Sequence, residues 1–254
     1  MNTAILEHDH GRTRVISINV PERRNSVSLA LREMLCAALV KAEQDPGVRC
    51  VILTGVDGNF CAGGDITDMN VSDLAAGRDR MRRSHRLVRQ MLGMGKPIIA
   101  AVEGWAAGAG LSLAVACDSV VCSDQARFAA SFGQVGLMAD MGLLHTLAQR
   151  IGNGRARQVI LYGEKFDAEQ AYRMGVVDHL VPAGQTLEVA LGRAQLMEQQ
   201  PPLPLAFSKA LLVGGLDAVL EREMELQSQL FLSRDHAEGK AAFLGKRPAD
   251  FQGA

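Results

Sequence analysis

Apolar side chains recur at Leu31, Met34, Leu35, Ala38, Leu39 and Ala42. That three-and-four spacing predicts a helix from residue 28 that buries one face, ended by Asp45, Pro46 and Gly47. Before it, residues 4–7 and 15–19 alternate or run apolar around His10, Gly11 and Arg12, which predicts a hairpin, and Pro21 stops its second strand. A short buried strand over 50–53 follows. The alternation then repeats with a helix over 73–91, a strand over 97–102, a helix over 111–116 and a strand over 119–122.

Strands alternating with helices predict an α/β class. After a strand over 176–181 only helical patterns remain, interrupted once by Gln199, Gln200, Pro201, Pro202, Leu203 and Pro204. The break divides the chain into a body, 1–198, and a region, 199–254, whose helical element runs over 205–245. A length of 254 residues fits one large core with an appended element.

Composition changes the picture little. Apolar residues make up 48% but only eight Phe, two Tyr and one Trp are present, so the interior is built mainly from aliphatic side chains and Met. The 27 basic and 28 acidic side chains nearly cancel, which argues against nucleic acid as a partner. The densest basic stretch, Arg78, Arg80, Arg82, Arg83, Arg86 and Arg89, reads as a solvated helix face, with an anion-facing subset as the alternative. Five cysteines lack the spacing of a zinc site and read as reduced and mostly buried. No apolar run is long enough to span a bilayer, and the charged run over 7–14 does not read as a secretory signal, so the expectation is a cytoplasmic protein with no membrane partner.

The chemistry concentrates in two glycine-rich turns. The strand over 50–53 feeds a loop with Gly55, Gly58, Gly63 and Gly64, and the strand over 97–102 feeds Gly104 to Gly110, where nothing larger than methyl follows Trp105. Small residues ahead of a helix leave backbone donors and a positive dipole end accessible to an anion or a developing oxyanion. The second turn fits neither a dinucleotide fingerprint nor a P-loop. Close helix-to-sheet packing is the alternative for that turn taken alone.

The pair together resembles the enoyl-CoA hydratase/isomerase (crotonase) family. Residues 96–104 with the small-residue turn and Cys117-Asp118 resemble its central signature, and 60–66 its first-loop signature. Residues 23–27, 168–178 and 238–244 are similar to its N-terminal, late helix-strand and C-terminal segments, in the family's order. The resemblance implies a spiral of ββα units, with 199–254 as a helical trimerisation region and the chain as a homotrimer or dimer of trimers. It implies an acyl-CoA substrate, with coenzyme A entering as part of the thioester and no tightly bound cofactor or metal. It assigns the oxyanion donors to the N–H groups of Gly64 and Ala109. Arg24, with the backbone near Ser26 and Ala62, falls on positions that hold CoA, and Phe243 and Lys246 on positions that reach a neighbouring subunit's CoA; for Lys246 a solvated helix-end charge is the alternative.

One departure matters. The best-known hydratases of this family use two glutamates, and the matching positions here are Ser112 and Phe132, neither of which can abstract a proton. Asp140 sits instead where several family isomerases carry a single carboxylate. Its apolar neighbours Leu137, Met138, Met141 and Leu143 predict a raised pKa, while a helix N-cap is its other reading. Asp65 is expected to organise its loop. Phe132, Trp105 and His85 are candidates for the acyl pocket, or else for the core. The leading expectation is a double-bond isomerase acting on a 3-enoyl-CoA through Asp140. A hydratase or another CoA reaction of the same superfamily is the alternative, and a non-catalytic acyl-CoA-binding protein the alternative from another class.

Overall fold

A computed structural model describes residues 3–254. Strands β1 (Ile5–His10) and β2 (Thr13–Ile18) pair antiparallel around Gly11, whose φ of 62° lets the chain reverse tightly. Both strands reach closer to the turn than periodicity suggests. Helix α1 (Leu29–Gln44) starts at Ser28, whose side chain accepts from the Leu31 amide at 3.2 Å. Strands β3 (Cys50–Gly55), β4 (Ile98–Val102), β6 (Ser119–Ser123) and β9 (His179–Val181) then add in parallel. The six-stranded sheet has the order β1-β2-β3-β4-β6-β9.

A second, three-stranded sheet joins β5 (Trp105–Ala107), β7 (Arg127–Ala129) and β8 (Lys165–Asp167). Its three-residue strands are too short to show a period-two pattern, so the sequence expectation lacks them. The strand expected over 176–181 is shorter than that, because Val176 and Val177 are buried in the turn that follows α5 (Ala168–Met174).

Helices α2 (Leu74–Gly93) and α3 (Ala109–Val115) flank the large sheet's chain crossovers. Helix α4 (Leu143–Tyr162) is kinked at Gly152, where φ is 76°. After α6 (Thr186–Glu198) come α7 (Pro202–Leu212), α8 (Leu216–Leu230) and α9 (Arg234–Leu244). Pro202 and Pro204 therefore lie inside the first turn of α7 rather than in a break before it. Proline suits that position because the amide it lacks has no intrahelical acceptor there.

One apolar cluster runs from β2 and β3 through α1, α2 and α3 to Leu216, Leu220 and Phe231 of α8 and the residue after it. A smaller one, with Ile52, Ile99 and Val121, is covered by Ala190 and Ala194 of α6. Among the described residues all five cysteines are free, no His, Cys, Asp or Glu cluster could hold a metal ion, and no single helix is long and apolar enough to cross a membrane. The basic stretch on α2 is not uniformly solvated. Arg78, Arg83 and Arg89 pair with Glu225, Glu33 and Asp217, whereas Arg80 is buried.

Candidate active site

The two glycine-rich turns are zipped together by their backbones. Phe60 N–H donates to Glu103 O at 2.7 Å, Cys61 N–H to Trp105 O at 2.8 Å, and Ala107 N–H to Cys61 O at 3.1 Å. Contact this close requires glycine: a Cβ added at Gly110 would stand 2.1 Å from Cys61 O, and one at Gly104 would stand 2.2 Å from Gly58 O. Gly108, with φ of 50°, turns the chain into α3, so that Ala109 opens the helix with its amide unpaired. Among the described residues neither the Gly64 nor the Ala109 N–H has a hydrogen-bond acceptor.

Both residues line one cavity of about 510 Å³. Arg24, Ser26 and Ala62 form one part of its wall, Phe132, Val135 and Leu137 another, and Phe243 and Leu244 of α9 a third. The structure thus brings together Gly64, Ala109, Asp140, Arg24, Ser26, Ala62, Phe132 and Phe243. Phe243 faces the cavity of its own chain. Lys246 is not on the wall; it follows α9, exposed, with φ of 50°.

Two expected pocket residues lie elsewhere. Trp105 belongs to β5, where its ring is covered by the Lys165 ammonium, 5.6 Å from the ring centroid. Trp105 is not part of the cavity lining. His85 is 2% exposed and bonded through Nε2 to Glu223 Oε1 at 2.8 Å, behind the cavity wall rather than on it. A carboxylate on α8 holds the imidazole there.

Asp140 is 5% exposed and lies on the cavity wall. It does not cap α4: the residue before that helix is Gly142, which makes no side-chain cap. Instead Asp140 Oδ2 accepts from Gln227 Nε2 at 3.4 Å, and Oδ1 has no partner. Burial pushes its pKa up, opposed by the positive charge of Arg32, the Gln227 hydrogen bond and the charges of His85 and Arg80. Its backbone is held as well, since Ser112 Oγ donates to Asp140 O at 3.0 Å. Ser112, expected from the resemblance at one glutamate position, therefore holds the Asp140 segment, and Phe132, expected at the other, walls the cavity.

Glu223 went unrecognised in the sequence, and a signal was there. Leu216, Leu220, Glu223 and Gln227 share one helical face of α8, so two polar residues sit in an apolar stripe. Glu223 is 1% exposed, with Oε2 accepting the Gly142 amide at 3.0 Å, and burial raises its pKa. Gln227 clasps the strand-like segment before Asp140, accepting from Met138 N–H at 3.2 Å and donating to Met138 O at 3.1 Å. Asp65 also lines the cavity, but it is occupied: it accepts from Thr67 N–H at 3.0 Å and Thr67 Oγ1 at 2.6 Å and pairs with Arg23, interactions that hold its pKa low against burial. Burial pushes the Cys61 thiol up to about 11, so it is no nucleophile at neutral pH.

An unpaired pair of amides and a buried, partly unpaired carboxylate line one largely apolar cavity. Such a site can polarise a carbonyl and move a proton beside it. Comparisons with known proteins agree with that chemistry. The family profile Enoyl-CoA hydratase/isomerase matches residues 11–254. A 1,2-epoxyphenylacetyl-CoA isomerase of Escherichia coli (strain K12) is 34% identical, over 98% of both chains. A 2,3-dehydroadipyl-CoA hydratase of the same organism is 35% identical, over 95% of this chain and 96% of the relative. Among solved structures, an enoyl-CoA hydratase from Mycobacterium avium subsp. paratuberculosis K-10 superposes with a TM-score of 0.89 at 29% identity, covering 98% of this chain and 99% of the other. A carnitinyl-CoA hydratase from Mycobacterium avium gives 0.88 at 29% identity with both chains fully covered.

Proposed function

The chain belongs to the enoyl-CoA hydratase/isomerase family, and we propose that within it the protein is an isomerase that moves the double bond of a 3-enoyl-CoA to the 2-position. The observation that carries this reading is the single available carboxylate. Asp140 has a free oxygen on the cavity wall, Asp65 is tied to Arg23 and Thr67, and Ser112 and Phe132 stand where a hydratase would place its glutamates.

In this mechanism the thioester oxygen lies between the Gly64 and Ala109 amides. Asp140 takes the proton from C2, the electron pair moves into a dienolate whose oxygen those amides hold, and the protonated Asp140 returns the proton to C4. One carboxylate serves both transfers, and the protein ends in its starting protonation state. A preorganised amide donor of this kind is worth about 2.7 to 4 kcal/mol of transition-state stabilisation. Burial raises the Asp140 pKa toward the range of an effective base.

Arg24, Ser26, Ala62 and Phe243 would contact the coenzyme A portion, which arrives and leaves with the substrate. The same reading makes the chain a homotrimer or dimer of trimers through 199–254. It is supported by Leu203, Phe207, Leu211 and Leu212, which are exposed along α7. Sedimentation of the protein would test it, a monomer counting against it.

A hydratase is the second reading, favoured by the 35% identical relative of that name. Assays of 3-enoyl-CoA and 2-enoyl-CoA side by side separate the two. The isomerase reading expects fast interconversion of the double bond, slow hydration, and loss of isomerisation by about a thousandfold or more in Asp140→Asn. Rapid hydration of a 2-enoyl-CoA that disappears in Asp140→Asn would overturn it.

A further inference from the structure

Helix α1 turns one cation into the site. Arg32 is 2% exposed, on the same buried face as Leu31 and Leu35, and its guanidinium lines the cavity. Its Nη1 donates to Ser84 Oγ at 2.8 Å, its Nε has no partner, and among the described residues no carboxylate pairs with it. Its Nη2 lies beside the oxyanion turn: a Cβ built on Gly64 would be 3.1 Å from it. A guanidinium offers five N–H donors, and an uncompensated buried charge is costly.

The neighbouring cation makes the contrast. Arg80 is buried nearby on α2, but it donates to Asp68 O at 3.0 Å and Asp68 Oδ2 at 3.3 Å and lies over the Phe231 ring. Arg32 therefore adds a second positive charge to a region that already holds one, on the cavity lining and with Nη2 beside the Gly64 turn. Asp140 is the carboxylate that feels its charge, yet no hydrogen bond joins the two.

We infer that Arg32 is a specificity residue that selects acyl groups bearing a second carboxylate, so that the preferred substrates are CoA monothioesters of dicarboxylic acids. The inference rests on the acyl-CoA reading but not on which reaction follows. The substrate carboxylate would take the unused N–H groups of Nη2 in a largely apolar cavity, where a charge-assisted pair is stronger than in water. A simple alkyl chain would leave them unmet.

Saturated thioesters, which neither isomerise nor hydrate, provide the test. Calorimetric titration of the intact protein with glutaryl-CoA and adipoyl-CoA, against pentanoyl-CoA and hexanoyl-CoA, reads the preference directly. We expect the wild type to bind the carboxylate-bearing member of at least one pair about tenfold or more tightly. Arg32→Met should bring both ratios to about one, and Arg32→Lys should restore part of the preference. A wild-type ratio near one at both lengths overturns the inference and leaves the acyl-CoA reading intact, whatever the variants do. So does a preference that survives unchanged in Arg32→Met. Failure of all four thioesters to bind overturns the acyl-CoA reading itself. A guanidinium that served only to tune Asp140 would give no ratio, since both members of each pair meet the same Asp140.

Discussion

The two sides of the cavity are made of different materials. On one side, backbone amides are presented by turns of glycine and alanine locked by main-chain hydrogen bonds between Cys61 and residues 105–107. On the other, Asp140 is held by side chains from elements far apart in the chain: Ser112 on α3 and Gln227 on α8, with Glu223 and His85 behind them. A backbone device is rigid and indifferent to most side-chain changes, but intolerant of bulk. A side-chain network can be tuned residue by residue, and it depends on every partner being satisfied.

Short of removing Asp140 itself, bulk at the turn crossing should therefore do the most damage. Gly110→Val meets Cys61 O, because even a Cβ there lies 2.1 Å away, and the backbone must shift. We expect activity on 3-enoyl-CoA to fall by about a hundredfold or more, the scale of losing one oxyanion donor, with a lowered Tm. A near-normal rate would mean the amides are not preorganised by that contact.

Among the side chains that hold Asp140 the effects should be smaller and chemical in kind. Gln227→Leu leaves the Met138 amide and carbonyl without partners, at a stability cost of about 1–3 kcal/mol. It also removes a hydrogen bond that favours ionised Asp140. The acidic limb of the pH–rate profile should move to higher pH, with kcat more affected than KM; an unmoved limb would deny Gln227 any positioning role.

The sign of stability is itself a test of the wall. Asp140 and Glu223 both have folded-state pKa values raised by burial. Their contribution is fully present below the unfolded-state values and is lost as pH rises through the raised folded-state ones. Asp140→Asn, while inactive, should consequently raise Tm at neutral or alkaline pH, by about 2–4 °C for each kcal/mol recovered, and the gain should shrink in acid. The smallest effect is expected for Trp105→Phe, which lies off the cavity and should leave kcat/KM within about twofold.

This division also explains what could be read from the sequence. Glycine in a strand-to-helix turn has a local signature, so the two turns were legible, whereas Gly64, Ala109 and Asp140 were singled out by resemblance to the family, the apolar flanks of Asp140 adding only the expectation of a raised pKa. Short strands such as β7 and β8 carry too few residues for a period. Arg32, Arg80, Glu223 and Gln227 lie on buried helix faces, where a polar residue in an apolar stripe signals an unusual environment without naming its partner. Nothing in the local pattern tells that His85 on α2 meets Glu223 on α8. His85 consequently looked like a pocket residue, although it lies behind the wall.

The third wall of the cavity has a consequence for how the protein comes into being. Its lining runs from Arg23 to Leu244, and α9 is seated against the turn over 131–135 so closely that a Cβ at Gly239 would lie 2.7 Å from Val135. The ribosome makes the amide-bearing turns early, yet the chamber they serve closes only when α9 has emerged and docked. A stalled nascent chain ending before residue 234 would carry the oxyanion turns and Asp140 in a chamber that lacks the wall made by Phe243 and Leu244.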